Sequence, residues 1–264
     1  GAGQITFTVT VAAVKSTNSV GTGIKVWTNS TTVSYTTASS GSGSIRYTYD
    51  NNGNRTEKWT NGFFAARYSY DYDNQLVGIS FNDDYVYEYV YEYDPFGRRI
   101  RACEDTTNRY FVYDGLDVIA ELDGSGNVTK QYVRGSGLGG GIGDIIAIRN
   151  PASTNQDQFL SYNHRGDVVT VTSNNGTRIA NYEYDAFGAP VNLSPVTCFT
   201  GFSSKEYDSR SGLSYYGFRF YDASSGRWMQ KDPALWLGGV NLYRHTMNNP
   251  IAYMDTRGYW PDNV

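Results

Sequence analysis

The sequence predicts an all-β fold, and three observations predict it. Apolar and polar residues alternate with period two, helical periodicity is nearly absent, and a Tyr-Asp pair recurs about every twenty residues along much of the chain. Period two sends successive side chains to opposite faces of a sheet, so each alternating stretch reads as a strand with one buried face. The 264 residues are enough for one large domain or two modest ones.

Residues 1–45 form an N-terminal β-strand segment. It reads Ile5-Thr6-Phe7-Thr8-Val9-Thr10-Val11, then Ile24-Lys25-Val26-Trp27, then Thr32-Val33-Ser34-Tyr35-Thr36. The small polar run Thr37 to Gly43 marks a loop before the pattern changes. These strands carry few charges to blunt their edges. Two outcomes are expected for them: addition to the sheet of a neighbouring copy, or folding over the end of the chain's own repeat array.

Residues 46–212 are read as the repeat sheet. Tyr-Asp pairs stand at Tyr49-Asp50, Tyr70-Asp71, Tyr93-Asp94 and Tyr113-Asp114, and again at Tyr184-Asp185, Tyr207-Asp208 and Tyr221-Asp222. Tyr132 and Tyr162 fill the gap between the two groups as degenerate members. Alternating aromatics precede the Asp, as in Tyr87-Glu88-Tyr89-Val90-Tyr91-Glu92-Tyr93, and a turn such as Asp94-Pro95-Phe96-Gly97 follows it. Asp bonds the backbone two residues on, Pro presets φ and Gly accepts a positive φ, so each unit predicts strand, turn, strand. One hairpin cannot bury its aromatic face alone, so the units must pair edge to edge into a long antiparallel sheet that spirals into an open or closed shell.

Composition excludes several roles. A net charge of −4, with no run of one sign, gives no electrostatic reason to expect nucleic acid. No window approaches 18 consecutive apolar residues, so no membrane-inserted helix is expected. The two cysteines, Cys103 and Cys198, make neither a disulfide framework nor a zinc site, and the two histidines, His164 and His245, lie far apart without ligand spacing; no metal is expected. The Gly-rich run Gly135 to Gly143 lacks the Lys-Ser/Thr of a phosphate loop, so no cofactor site is expected. Arg165-Gly166-Asp167 is read as a turn. A conventional small-molecule enzyme is not expected.

The C-terminal segment, residues 213–264, carries the most specific pattern. Leu213-Ser214-Tyr215-Tyr216-Gly217-Phe218-Arg219-Phe220-Tyr221-Asp222 is followed by Gly226-Arg227-Trp228 and Asp232-Pro233. Then come Gly239-Val240-Asn241-Leu242-Tyr243, Asn248-Asn249-Pro250 and Asp255-Thr256-Arg257-Gly258. Together with the Tyr-Asp repeats, this resembles the Rhs/YD-repeat family and its repeat-associated core, whose shells occur in polymorphic toxins, ABC-toxin C components and teneurins. Tyr162-Asn163-His164-Arg165-Gly166-Asp167-Val168 resembles the stretch that precedes that core.

The resemblance implies a β-sheet shell with the core segment as a plug at one end, enclosing a polypeptide. It also implies self-cleavage just after a DPxG motif, carried by core aspartates. By position these are Asp232 and Asp255, with Arg227 as the basic partner and the bond after Tyr259, or second after Trp260, as the scissile one. This sequence has Thr256 where the motif has Pro, and Tyr259 where Leu is usual. Two carboxylates in one enclosed site do not ionise together easily, so one would serve as acid while the other activates water. The plainer reading is that Asp232 caps a turn before Pro233 and that Arg227 makes a structural ion pair. Expected partners are copies of the chain itself or an enclosed polypeptide; a glycan is a further alternative, because exposed aromatic rows stack on sugar rings. An extracellular or cell-surface setting follows from the class.

Overall fold

The computed structural model describes residues 44–153, 156–194, 200–235 and 239–259. Residues 1–43, with the strands expected to serve assembly or to cover the array, lie outside the described residues, as does Cys198.

Among the described residues, fourteen strands follow one another in a single antiparallel meander, each paired with its sequence neighbours. They are β1 (Ile45–Tyr49), β2 (Arg55–Thr60), β3 (Phe63–Tyr70), β4 (Leu76–Ser80), β5 (Tyr89–Tyr93), β6 (Arg99–Glu104) and β7 (Thr107–Asp114). The meander continues through β8 (Asp117–Leu122), β9 (Val128–Arg134), β10 (Ile145–Arg149), β11 (Gln158–Tyr162), β12 (Val168–Ser173), β13 (Arg178–Tyr184) and β14 (Pro190–Ser194). A second, four-stranded meander holds β15 (Glu206–Asp208), β16 (Leu213–Tyr215), β17 (Phe220–Asp222) and β18 (Arg227–Trp228). Among the described residues β1 and β14 are the two edges of the long sheet.

In four of the repeats the Asp explains why the chain turns where it does; Asp114 instead ends β7 and pairs with Asp117. Between β5 and β6, Asp94 Oδ1 accepts the amide protons of Phe96 and Arg98 at 2.9 and 3.0 Å, and Gly97 N donates to the Asp94 carbonyl at 2.9 Å. Gly97 sits at φ +79°, where a Cβ is disfavoured. Asp50, Asp71 and Asp185 accept the same pair of amides in their own turns. Asn163 does so through its side-chain oxygen, at 2.9 and 3.0 Å, which makes Tyr162-Asn163 a full unit and Arg165-Gly166-Asp167 part of its turn.

The Tyr of each repeat ties one hairpin to the hairpin before it. Just ahead of the turn the ladder slips by one residue, at Thr48/Tyr49, Ser69/Tyr70, Glu92/Tyr93, Val112/Tyr113, Ser161/Tyr162 and Glu183/Tyr184. Such bulges twist the strand and interrupt its pairing. The hydroxyl then reaches the carbonyl of the first residue of an earlier even-numbered strand. Tyr70 donates to Arg55 O (2.8 Å), Tyr93 to Leu76 O (2.6 Å) and Tyr113 to Arg99 O (2.8 Å). Tyr162 donates to Ile145 O (2.6 Å) and Tyr184 to Val168 O (3.0 Å). Tyr132 departs from the pattern: it donates to Glu121, and a Gly-rich loop replaces the Asp turn after β9.

The second sheet lies on the tyrosine-bearing face. Tyr68, Leu76, Ile79, Tyr89, Tyr91, Ala102 and Phe111 of the long sheet form one core with Leu213, Phe220 and Met229. A second core, built by Ile145, Ile148, Leu160, Val168, Val171, Ala180 and Tyr182, fills the far half. Each buried ring removes roughly 150–250 Å² from water, of the order of a few kcal/mol as an upper bound. Tyr207-Asp208 and Tyr221-Asp222 do not form repeat turns of the long sheet, because they belong to the second one. Asp222 instead forms an ion pair with Arg55, both side chains buried, and Asp208 accepts the Tyr89 hydroxyl at 3.2 Å.

The C-terminal segment and the turn Phe202–Ser204 that precedes the second sheet also cap the turns at one end of the long sheet. Tyr243 donates to Asn52 O at 3.0 Å, Tyr221 donates to Phe187 O at 2.8 Å, and Asp167 Oδ1 accepts Ser203 N at 2.8 Å. A Cβ on Gly53 would lie 2.0 Å from the Tyr243 hydroxyl oxygen, so glycine is required there for space as well as for its φ of +83°.

Two outcomes test this account. Tyr93→Phe is expected to cost about 1 kcal/mol in urea unfolding by orphaning the Leu76 carbonyl, whereas Tyr72→Phe at a fully exposed position is expected to be neutral. Burial pushes the Tyr47 and Tyr113 phenols up to about 12. A phenol whose folded pKa is raised contributes stability that is complete below its unfolded value near 10 and is lost as pH rises through the folded value. Thermal unfolding followed from pH 8 to 12 is therefore expected to show a steep loss of stability above about pH 10.

Candidate active site at the aspartate pair

Strand alternation in the second sheet decides which residues meet. In the β17–β18 hairpin Tyr221 pairs with Trp228 and Asp222 with Arg227. Arg219, two residues before Tyr221, shares its face, and its guanidinium lies 4.2 Å from the Trp228 ring centroid. On this face Tyr216, Tyr221, Trp228 and His245 form a tight aromatic box.

The structure brings Asp232 and Asp255 together on one cation. Arg219 Nη2 is 2.8 Å from Asp232 Oδ2 and 3.3 Å from Asp255 Oδ2, with all three side chains buried. Arg219 Nε donates to Gly258 O at 2.6 Å and Nη1 to Leu242 O at 3.2 Å, which aims the guanidinium. Asp232 Oδ1 accepts Ala234 N at 2.8 Å, so the turn-capping expectation also holds for this residue. Asp255 Oδ1 accepts the amides of Gly258 (2.7 Å), Arg257 (3.2 Å) and Tyr259 (3.3 Å).

Arg227 is not at this pair. It stands one residue from Trp228 and so projects from the opposite face of the hairpin, with its guanidinium carbon 5.8 Å from the Tyr243 ring centroid. The basic partner of the aspartates is Arg219. Two signals could have found it: its place in the alternating run Arg219-Phe220-Tyr221-Asp222, and its spacing of two from an aromatic that faces the core.

Burial sets the protonation of the site. It raises the Asp255 carboxyl above its ordinary value, against the opposing effects of Arg219 and the three backbone amides. Burial likewise lowers Arg219, partly offset by Asp255 and Asp232. One cation between two buried carboxylates makes the charged form of Asp255 less favourable than in water. Burial, helped by Arg219 and Arg165, lowers His245 to about 3, so its imidazole stays neutral inside the box. The arrangement thus sets two carboxyl groups, Asp255 held above its ordinary value, and a fixed guanidinium around the backbone at Gly258 and Tyr259. Trp260 lies outside the described residues.

The Gly-rich loop that follows β9 closes over the neighbouring segment. A Cβ on Gly140 would lie 2.2 Å from Thr256 Cβ, and Lys205 Nζ donates to Gly140 O at 3.1 Å. The same loop borders a cavity of about 120 Å³ that Lys205, Glu206 and Arg257 also line.

A long meander of tyrosine-stapled hairpins, capped by a small sheet that carries a buried Asp-Arg-Asp group, defines a YD-repeat shell fragment. Residues 140–251 match the family model described as Teneurin YD-shell, and the chain resembles the Rhs/YD-repeat family. It is 28% identical over 222 residues to the tRNA nuclease WapA of Bacillus subtilis (strain 168), covering 80% of this chain and 9% of that protein. It is 49% identical over 61 residues to Toxin subunit YenC1 of Yersinia entomophaga, covering 23% of this chain and 6% of that one. The TcdB2–TccC3 crystal structure superposes with a TM-score of 0.59 at 19% identity, over 82% of this chain and 14% of that chain, and shows the same fold. The chain thus spans about a tenth of the length of these relatives.

The ion-pair geometry gives a stability prediction. Arg219→Met leaves two carboxylates buried without a cation and is expected to cost about 3–5 kcal/mol at pH 7. In that variant the Asp255 carboxyl, already raised by burial, loses the cation that favours its charged form and binds a proton more readily folded than unfolded, so the deficit is expected to shrink as pH falls toward 4 in urea titrations.

Proposed function

We propose that this chain is a wall-and-plug segment of a YD-repeat shell that encloses a polypeptide in a polymorphic-toxin-like protein, in an exported setting. The observation that carries this reading is the placement of the C-terminal segment. It lies across the tyrosine face and bonds to the turns that follow β1 and β13, as a lid at one end of a shell would. The relatives named as a tRNA nuclease and as toxin subunits support a protein whose shell serves an effector.

A second reading, compatible with the first, is favoured by the Asp232–Arg219–Asp255 group. In it the shell cuts its own chain once after Tyr259, with Asp255 as the proton donor, Asp232 as the carboxylate that activates water and Arg219 as the oxyanion partner. Asp255 already holds the Tyr259 amide, one residue before that bond.

The test is intact-mass spectrometry of the chain extended beyond Val264 by a reporter domain. The expected product ends at Tyr259 in the parent and is absent in Asp232→Asn and Asp255→Asn, while Arg227→Gln cleaves normally. An intact parent overturns the self-cleaving reading. Enclosure is tested separately by protease protection: an uncleaved reporter digested as fast as the free domain overturns the shell reading.

A further inference from the structure

We propose that the groove between the β13–β14 turn and the β17–β18 turn binds an oxyanion, carboxylate or phosphate, clamped between Arg227 and Arg244. Arg227 and Arg244 face each other across an isolated antiparallel bridge. Residues directly opposed in this way project to the same side, with Cβ atoms about 4.5–5.5 Å apart, and like charges so placed repel. Neither guanidinium makes an ion pair or side-chain hydrogen bond with any described residue, whereas Arg55, Arg99, Arg109, Arg134 and Arg219 all have carboxylate partners. An anion held between the two relieves that repulsion and matches the bidentate fork of arginine.

The rest of the groove suits such a ligand. Its volume is about 350 Å³, and Ser224, Ser225, Asn241 and Asn248 line it beside the two arginines. That size falls in the range of small-molecule sites; the Ser224 and Ser225 hydroxyls are committed to Asp222, and the side-chain amides of Asn241 and Asn248 offer hydrogen bonds to the body of the ligand. The Phe187 side chain forms an apolar wall. Asp185 also lines the groove, but its Oδ1 is committed to the Phe187 and Ala189 amides, and it lies beyond ion-pair distance of both arginines. The groove opens on the face of the hairpin opposite Arg219, so it is separate from the aspartate pair. Three pieces of the C-terminal pattern meet here: Gly226-Arg227, Asn241 and Asn248.

The experiment is a thermal-shift and calorimetric titration of the chain with sodium phosphate and with sodium acetate, against sodium chloride at matched ionic strength. Phosphate or acetate is expected to raise the unfolding temperature above the chloride control. A response to phosphate alone assigns a phosphate ligand; a response to both assigns a carboxylate-tolerant site. Arg227→Gln and Arg244→Gln are each expected to weaken binding at least tenfold, and the exposed Arg46→Gln to leave it unchanged. The double variant in chloride is expected to unfold at a higher temperature than the parent, because the repulsion is gone. Arg227→Lys keeps the charge and the fold but loses the fork, and is expected to bind about tenfold more weakly. Absence of any parent response beyond chloride up to about 10 mM, or equal binding by the parent and Arg227→Lys, overturns the proposal.

Discussion

The structure depends on a single recurring contact: a tyrosine hydroxyl donated to a carbonyl at the start of an earlier strand. An isolated hairpin is marginal in water because it has one face to bury and nothing to bury it against. The bonds from Tyr70, Tyr93, Tyr113, Tyr162 and Tyr184 couple each hairpin to the one before it while their rings build the core. The bulge beside each tyrosine and the Asp or Asn turn after it are parts of the same device: one bends the strand, the other reverses it. Repetition makes stability a sum of nearest-neighbour terms, as in other repeat architectures.

Ionic contacts do a different job. Arg55–Asp222, Arg99–Glu206 and Arg109–Glu206 all run between the long sheet and the small one. Buried pairs add little net stability, since desolvation offsets their attraction, but an unpaired partner is costly. They therefore penalise wrong placements of the small sheet. Apolar packing of Leu213, Phe220 and Met229 would tolerate sliding; the arginines do not. The Asp232–Arg219–Asp255 group follows the same rule with two carboxylates on one guanidinium, and burial there raises the Asp255 carboxyl above its ordinary value.

One short hairpin separates two chemistries. Arg219 and Trp228 share the face of the aromatic box, and Arg227, next to Trp228, lies on the other face opposite Asp222 and Arg244. Proximity in sequence put Arg227 beside Asp232 in expectation; a strand's period of two sent it to the other side.

Much of this was legible in the sequence. The Tyr-Asp recurrence, the Asp-Pro-Phe-Gly turn and the alternating aromatics specify hairpins, because they act through local backbone chemistry within a few residues. The pairing of Asp232 with Asp255 was accessible only through resemblance, and the tertiary structure supplied the cation between them. Tertiary structure alone decided that Tyr207-Asp208 and Tyr221-Asp222 leave the repeat, that Asn163 stands in for Asp, and that His245 is sealed neutral in an aromatic box. These outcomes turn on which sheet a strand joins and on what lies across from it. Local propensity carries no information about contacts between residues as far apart as Arg55 and Asp222, whose meeting depends on the whole sheet having formed.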